Sequence, residues 1–336
     1  MRKRDIPKIH RKSLVISFLL WQTIYTFAQS PYGLEPLAHT YSIVARDKVT
    51  GEMGVAVQSH WFSVGTIVSW GEAGVGVIAT QSFVNPSFGP RGLALLKAGL
   101  TAQQALDALI ESDEGRAVRQ LAILDVKGNV AAYTGSNCIP SAGHQKGDNY
   151  SVQANLMRND KVWPAMAQAF GASQGPLAER LLIAMEAGEA AGGDIRGRQS
   201  IAILVVAAKS TNQPWLDRKV DLQIADHADP LGEMRRLLNV HTAYEYMNRG
   251  DLAMELGDVD AALISYGTAE TLFPENEEMQ YWHAVSLANI GKLNDALPIF
   301  KNVFGKNQDW KELTPRIVQV GLLKVTQADL QRIINN

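Results

Sequence analysis

The chain has 336 residues, 32 basic and 34 acidic side chains and a formal net charge of −2, so no positive excess recommends nucleic acid as a partner. A single cysteine, Cys138, excludes an internal disulfide, and seven scattered histidines give no metal-ligand spacing, so no metal is expected; without a Walker loop or a dinucleotide fingerprint, no other cofactor is expected either. The length and an apolar share of 46% suffice for one sizeable core plus a smaller module.

Residues 1–28 read as a signal peptide. Arg2, Lys3, Arg4, Lys8, Arg11 and Lys12 form a basic head, Leu14–Phe27 is largely apolar, and Thr26-Phe27-Ala28 places small residues where a signal peptidase cuts. The apolar run is short for a membrane span and no later run is long enough. The expectation is therefore an exported, periplasmic or secreted chain starting near Gln29, with no transmembrane span. The alternative is an uncleaved N-terminal anchor. The segment removes six basic residues and one acidic residue, leaving 26 against 33, a net charge of about −7. Residues 29–39 are then a short pro-segment or linker.

From Thr40 onward, short Val- and Ile-rich runs are separated by glycine turns. Strands are predicted at Tyr41–Ala45, Gly54–Ser59, Thr66–Trp70 and Gly74–Thr80, with Lys48-Val49-Thr50-Gly51-Glu52 as a hairpin connection. Helices follow at Pro90–Ala98 and Ala102–Glu111. Strands return at Gln120–Asp125 and Val130–Thr134 around Lys127-Gly128-Asn129, and a glycine-bounded loop covers Cys138–Gly147. Trp163–Phe170 and Pro176–Ala187 read as helices, and Ser200–Ala207 as a nearly continuous apolar strand. This order argues for helices packed outside antiparallel sheets. Strands that are apolar on both parities imply sheets covered on both faces.

After Asp226 the pattern is helix and turn, with Pro230–Leu238 opening the first helix. Gly250, Gly257, Ala262, Tyr266 and Ala269 recur 34 residues later as Ala284, Gly291, Ala296, Phe300 and Val303. Period and small/large alternation match a tetratricopeptide helix pair. Two units are few for a free-standing solenoid, so flanking helices at Asp229–Val240 and Leu313–Ile334 are expected to support them. The division is an α+β domain at residues 40–228 and a helical module at residues 229–336.

Three stretches carry a resemblance: Thr40-Tyr41-Ser42-Ile43-Val44-Ala45-Arg46-Asp47, Ala79-Thr80-Gln81-Ser82-Phe83-Val84-Asn85-Pro86 and Gly192-Gly193-Asp194-Ile195-Arg196-Gly197-Arg198-Gln199-Ser200. Over roughly residues 40–240 the chain resembles the bacterial family known as domain of unknown function 1028, which is assigned by fold to the N-terminal-nucleophile (Ntn) hydrolases. The resemblance implies a four-layer αββα sandwich and often pairing into a homo-oligomer. It also implies a tail of the kind described in that family as peptidoglycan-binding. It supplies no substrate.

In that superfamily the nucleophile opens the first strand, which here is Thr40, and shorter family members begin near Met-Thr. An α-amine beside a hydroxyl is a nucleophile with its own base, since an amine with a pKa near 8 can take the hydroxyl proton at neutral pH. Signal cleavage alone leaves residues 29–39 attached, so a second cut between His39 and Thr40 is required. The bland reading is a β-branched residue starting a strand. Ser42 shares the Thr40 face and reads as support for the site. His60, after the second strand, is a candidate cation holding the amine neutral, or a plain loop residue. Asn85 and Asn155 are candidate oxyanion donors, although Asn85-Pro86 is also a turn signal. His144 is a candidate proton shuttle or a structural loop histidine. Asp194, Arg196 and Arg198 form a candidate substrate clamp, or an internal ion pair pinning a loop. Cys138 reads as a small buried residue.

Two functions follow. One is amide hydrolysis by Thr40 on a small amide, peptide or cell-wall fragment. The other is non-catalytic binding of peptide or cell wall through the sandwich pocket and helical tail. A variant of the second gives the task to the module alone, with Tyr246, Trp282 and Trp310 as candidate lining residues.

Overall fold

The computed structural model describes residues 37–336. The expected signal peptide and most of residues 29–39 lie outside that range. The chain divides into two compact units at Leu231/Gly232.

In the first unit the elements run β1 (Leu37–Ala38), β2 (Thr40–Arg46), β3 (Met53–Ser59), the short helix α1 (Gly65–Val68), β4 (Ser69–Glu72) and β5 (Gly76–Phe83). Helices α2 (Phe88–Lys97) and α3 (Ala102–Glu111) follow, then β6 (Arg119–Asp125), β7 (Val130–Thr134), β8 (Gly143–Gly147) and β9 (Tyr150–Ala154). The unit continues through α4 (Val162–Ala172), α5 (Leu177–Ala190), β10 (Ser200–Val206), the single turn α6 (Pro214–Asp217) and β11 (Arg218–Ile224). All strand pairs are antiparallel. One sheet has the order β1-β5-β6-β7, with β4 also on β5; the other runs β11-β10-β3-β2-β9-β8.

Strand alternation decides what each sheet face meets. Val44, Val55 and Val57 of one sheet share an apolar cluster with Val77, Ala79 and Leu124 of the other. The opposite face of the first sheet, through Ile78, Leu121 and Ile123, packs on Leu93, Leu96, Leu106 and Leu109 of α2 and α3. On the second sheet, Gly54 lets Leu181 of α5 approach so closely that a Cβ there would lie 2.7 Å from its Cδ1. Gly188 admits Met166 and Tyr41 in the same way. The facing faces are not uniformly apolar. Going from Val44 toward the start of β2 the residues turn polar: Ser42, then Thr40, opposite Gln81 and Gln120, all buried.

The second unit continues α7 (Pro230–Glu255) and adds α8 (Val259–Leu272), α9 (Glu277–Asn289), α10 (Leu293–Lys306), α11 (Asp309–Gln319) and α12 (Gln327–Ile334). Gly257 and Gly291 end equivalent helices with φ of 78° and 81°, the left-handed conformation that glycine adopts without steric cost. Ala262, Tyr266 and Ala269 are buried in one cluster; Ala296, Phe300 and Val303 are buried in another.

Several expectations need correction. Thr66–Trp70 is not a strand: Gly65–Val68 forms a helical turn and pairing starts at Ser69. Gly65 there lies against Ala202, too close for any side chain, so tertiary packing overrides the β propensity of Thr66, Ile67 and Val68. The glycine-bounded loop contains β8, which pairs with the unpredicted β9. The flanking helix expected over Asp229–Val240 runs unbroken to Glu255, and Leu313–Ile334 spans two helices rather than one. Among the described residues, no helix is long and apolar enough to cross a membrane.

Candidate active site around Thr40

Thr40 heads β2 between two strands, opposite Ser59 of β3, and its side chain is fully buried. Its hydroxyl donates to the Ala38 carbonyl at 2.6 Å. The preceding carbonyl, that of His39, accepts from Arg196 Nη2 at 2.7 Å and from the Ser59 hydroxyl at 2.5 Å. Two donors, one cationic, thus converge on the oxygen of the His39–Thr40 peptide bond. That is the position where negative charge develops if the Thr40 hydroxyl adds to this carbonyl.

Arg196 is aimed by Asp194. The Asp194 carboxylate is buried and accepts from the His60 amide at 3.2 Å and from the Arg196 amide at 2.9 Å. It also accepts from Arg196 Nε at 3.0 Å and Nη2 at 2.7 Å. The forked contact fixes the guanidinium plane, which an ammonium would not do. Positive φ at Gly192, Gly193 and Gly197 lets the loop fold back over the start of β2.

On the other side lies a chain of buried amides. Asn155 Nδ2 donates to Gln120 Oε1 at 2.9 Å and the Asn155 backbone N–H to the Thr40 carbonyl at 3.1 Å. Gln81 Nε2 donates to Gln120 Oε1 at 2.7 Å, and Gln81 Oε1 accepts from Ser42 at 2.6 Å. The Ser42 hydroxyl in turn accepts from Gln153 Nε2 at 2.6 Å. Gln120 Nε2 donates to the carbonyls of Ala154 and Gly143 and to Thr134, whose hydroxyl meets His144 Nδ1 at 2.9 Å. Every member of this chain has a partner, which is what makes so much buried polarity tolerable. It stitches the two sheets together at the Thr40 end.

His39 is 4% exposed, its ring edge-on to Phe83 at 5.4 Å and its Nδ1 2.9 Å from Asn155 Oδ1. Burial pulls its pKa below the usual 6.5, and Arg196 adds to this, while the Asn155 hydrogen bond and Asp194 oppose it. The net shift favours the neutral ring. Burial likewise lowers the pKa of His144, with Lys146 adding to the effect. Ser82, at the end of β5 opposite Ala38, is buried with φ of +74°, a conformation costly for a non-glycine residue and characteristic of functional sites.

The structure thus gathers Thr40, Ser42, Asn155, Asp194 and Arg196, with His144 at the far end of the amide chain. It leaves out three candidates. The His60 ring is exposed and only its amide contributes, so Arg196 is the cation next to the Thr40 peptide. Asn85 gives its carboxamide oxygen to the amide and hydroxyl of Ser87 in a local turn, and no hydrogen bond joins it to the cluster. Arg198 is held by Asp229 at 3.0 Å and Glu189 at 3.7 Å, away from the His39 carbonyl. Sequence reasoning missed His39, Ser59, Gln81, Gln120 and Gln153. For Gln81 and Gln120 the signal was a long amide at the end of an otherwise apolar run; His39, Ser59 and Gln153 carry no such signal. Cys138 is buried and its thiol donates to the Arg119 carbonyl; burial pushes its pKa up. Among the described residues no group of His, Cys, Asp or Glu is arranged to hold a metal ion.

Fold and site together define a mixed α/β protein of antiparallel sheets, with a polar centre built on a buried threonine and a separate helical region. The chain belongs to the family of unknown function DUF1028, whose model matches residues 40–234 and so opens on Thr40. A crystal structure of a Silicibacter pomeroyi protein of the same family is similar, with 33% identity over 61% of this chain and 87% of that one and a TM-score of 0.56. The ancestral β-subunit Anbu from Yersinia bercovieri aligns over 59% of this chain and 92% of its own, at 14% identity and a TM-score of 0.29. No curated protein matches the chain.

Proposed function

We propose that this is an exported Ntn-type amidohydrolase whose nucleophile, Thr40, is released by cleavage of the His39–Thr40 bond. The observation that carries the reading is the pair of donors, Arg196 and Ser59, on the carbonyl oxygen of that bond. The Thr40 hydroxyl oxygen bonds to the His39 carbonyl carbon while Arg196 and Ser59 hold the oxyanion. The C–N bond then breaks and the hydroxyl proton ends on the freed Thr40 amine. Water cleaves the resulting ester, releasing a peptide ending in the His39 carboxylate and regenerating the hydroxyl beside a free amine. The same two steps, applied to an external amide with the amine as base, make the catalytic cycle. Two facing sheets with helix pairs on their outer faces support the four-layer sandwich on which this reading draws. The matching glycine turns and buried Tyr266 and Phe300 support a tetratricopeptide-type tail, for which we propose binding to a cell-wall fragment or peptide.

The rival reading is a non-catalytic binding protein. Leu37–Ala38 pairs with Ser82–Phe83, so the uncut chain is itself an element of the sheet. N-terminal sequencing of the exported chain separates the two: a terminus at Thr40 is expected, and an intact Gln29–His39 segment on functional protein sinks the nucleophile. In Thr40→Ala the cut and all amidase activity should vanish while the thermal midpoint stays near that of the uncut chain.

A further inference from the structure

We propose that the mature site takes a short peptide in extended form whose residue before the scissile bond is histidine or another flat side chain that donates a hydrogen bond. This rests on Thr40 acting as nucleophile. Any carbonyl that Thr40 attacks must sit where the His39 carbonyl now sits, under Arg196 and Ser59. The acyl side of an external substrate must therefore follow the path that residues 37–39 follow in the uncut chain. That path is built. β4 and β1 lie on the same edge of β5, β4 along Gly76–Ala79 and β1 at Ser82–Phe83. Losing β1 uncovers the backbone of Ser82 and Phe83 for a new strand, the mode by which sheet edges recognise extended peptides.

Side-chain selection follows from the hydrogen-bond chain. Gln120 Nε2 is fixed as donor by the Ala154 and Gly143 carbonyls, which makes its Oε1 an acceptor. Asn155 must then turn Nδ2 toward Gln120, leaving Oδ1 as an acceptor facing His39. The pocket therefore demands a donor, and His39 supplies it as the Nδ1–H tautomer. Phe83 stands edge-on to the ring and favours a flat π-bearing group over a branched one. One position further out, Ala38 is fully buried within the intersheet cluster, so a small residue is required there.

The test uses chain processed by the expressing host, confirmed by intact mass to begin at Thr40. Its probes are coumarylamides of acetyl-Leu-Ala-Xaa with histidine, asparagine, leucine or aspartate as Xaa, and the corresponding free acids in calorimetry. Histidine and asparagine should exceed leucine and aspartate by about tenfold, in kcat/KM or in affinity, the worth of one buried neutral hydrogen bond. In the uncut chain, His39→Asn should process almost normally and His39→Leu about tenfold more slowly. Equal turnover and equal affinity for the histidine and leucine probes would overturn the pocket and leave Thr40 standing as nucleophile. A chain that never acquires a Thr40 terminus overturns the nucleophile and this inference with it.

Discussion

The two units bury different things. In the helical unit the buried set is almost wholly apolar, and its few buried hydroxyls, such as Ser286 and Thr314, make isolated pair bonds to Tyr266 and Tyr281, 20 and 33 residues away, at 3.2 and 3.1 Å. In the sheet unit Ser42, Gln81, Gln120, Gln153 and Asn155 are fully buried and bonded to one another across residues 35 to 116 apart in sequence, with His39 at the end. An apolar core tolerates exchange of one residue at a time. A buried polar chain does not, because each group removed strands its neighbours. The contrast is a reason, independent of any relative, for assigning the proposed chemistry to the sheet unit.

The sharpest way to test the contrast is at Arg196. Arg196→Met should slow the His39–Thr40 cut by about a hundredfold or more, as loss of an oxyanion donor does. Arg196→Lys, keeping charge but not the fork, should restore only part of the rate. Time courses by mass spectrometry, alongside urea midpoints, separate this from simple unfolding.

Next come two losses of buried hydrogen bonds, one per unit. Gln120→Leu removes the acceptor of Asn155 and Gln81 and the donor of two carbonyls, and should cost about 3 kcal/mol. Tyr266→Phe, which loses bonds to Asp251 and Ser286, should cost about 1 kcal/mol. Equal losses in denaturant titrations would erase the distinction between the units. Within the helical unit, Gly257→Ala and Gly291→Ala meet no neighbouring atom, so each should cost only the left-handed strain, about 1 kcal/mol. Unequal losses would break the equivalence of the two repeats.

The smallest effect is a pH dependence. A folded-state histidine pKa below 6.5 contributes stability that is complete above pH 6.5 and is lost as pH falls through the lowered value. His39 and His144 both act in this direction. Thermal midpoints at about pH 7.5 and about pH 5 should therefore fall further for uncut Thr40→Ala than for processed chain, where His39 has left and only His144 remains.

Much of the fold was legible. Ala102–Glu111 and Val130–Thr134 have the bounds expected from sequence; in the structure a Thr101 capping box starts the first and a turn through Gly128 precedes the second. The hairpin of β8 and β9 was not legible, because His144-Gln145-Lys146 lies at a polar sheet edge and shows no apolar alternation. Its turn signal, Asp148-Asn149 with Asn149 at φ of +65°, was there to be used. Thr40 stands out through the family resemblance, and Asp194 and Arg196 through a glycine-flanked polar run. The partners that orient them, Ser59, Gln120 and Gln81, meet only through strand register, which no local pattern encodes. His39 was passed over because it precedes the expected nucleophile rather than following it.

The brevity of β1 has a consequence of its own. Leu37 and Ala38 add only a few backbone bonds at the sheet edge, each worth about 1 kcal/mol net, and the tether to Thr40 reinforces these and the buried contacts of Ala38 and His39 by keeping their local concentration high. Under the proposed cut that tether is lost, and the released peptide would be held only by its own affinity for the pocket. A cut of the proposed kind would then be drawn forward by dilution of that peptide, like a ratchet, with no further energy source.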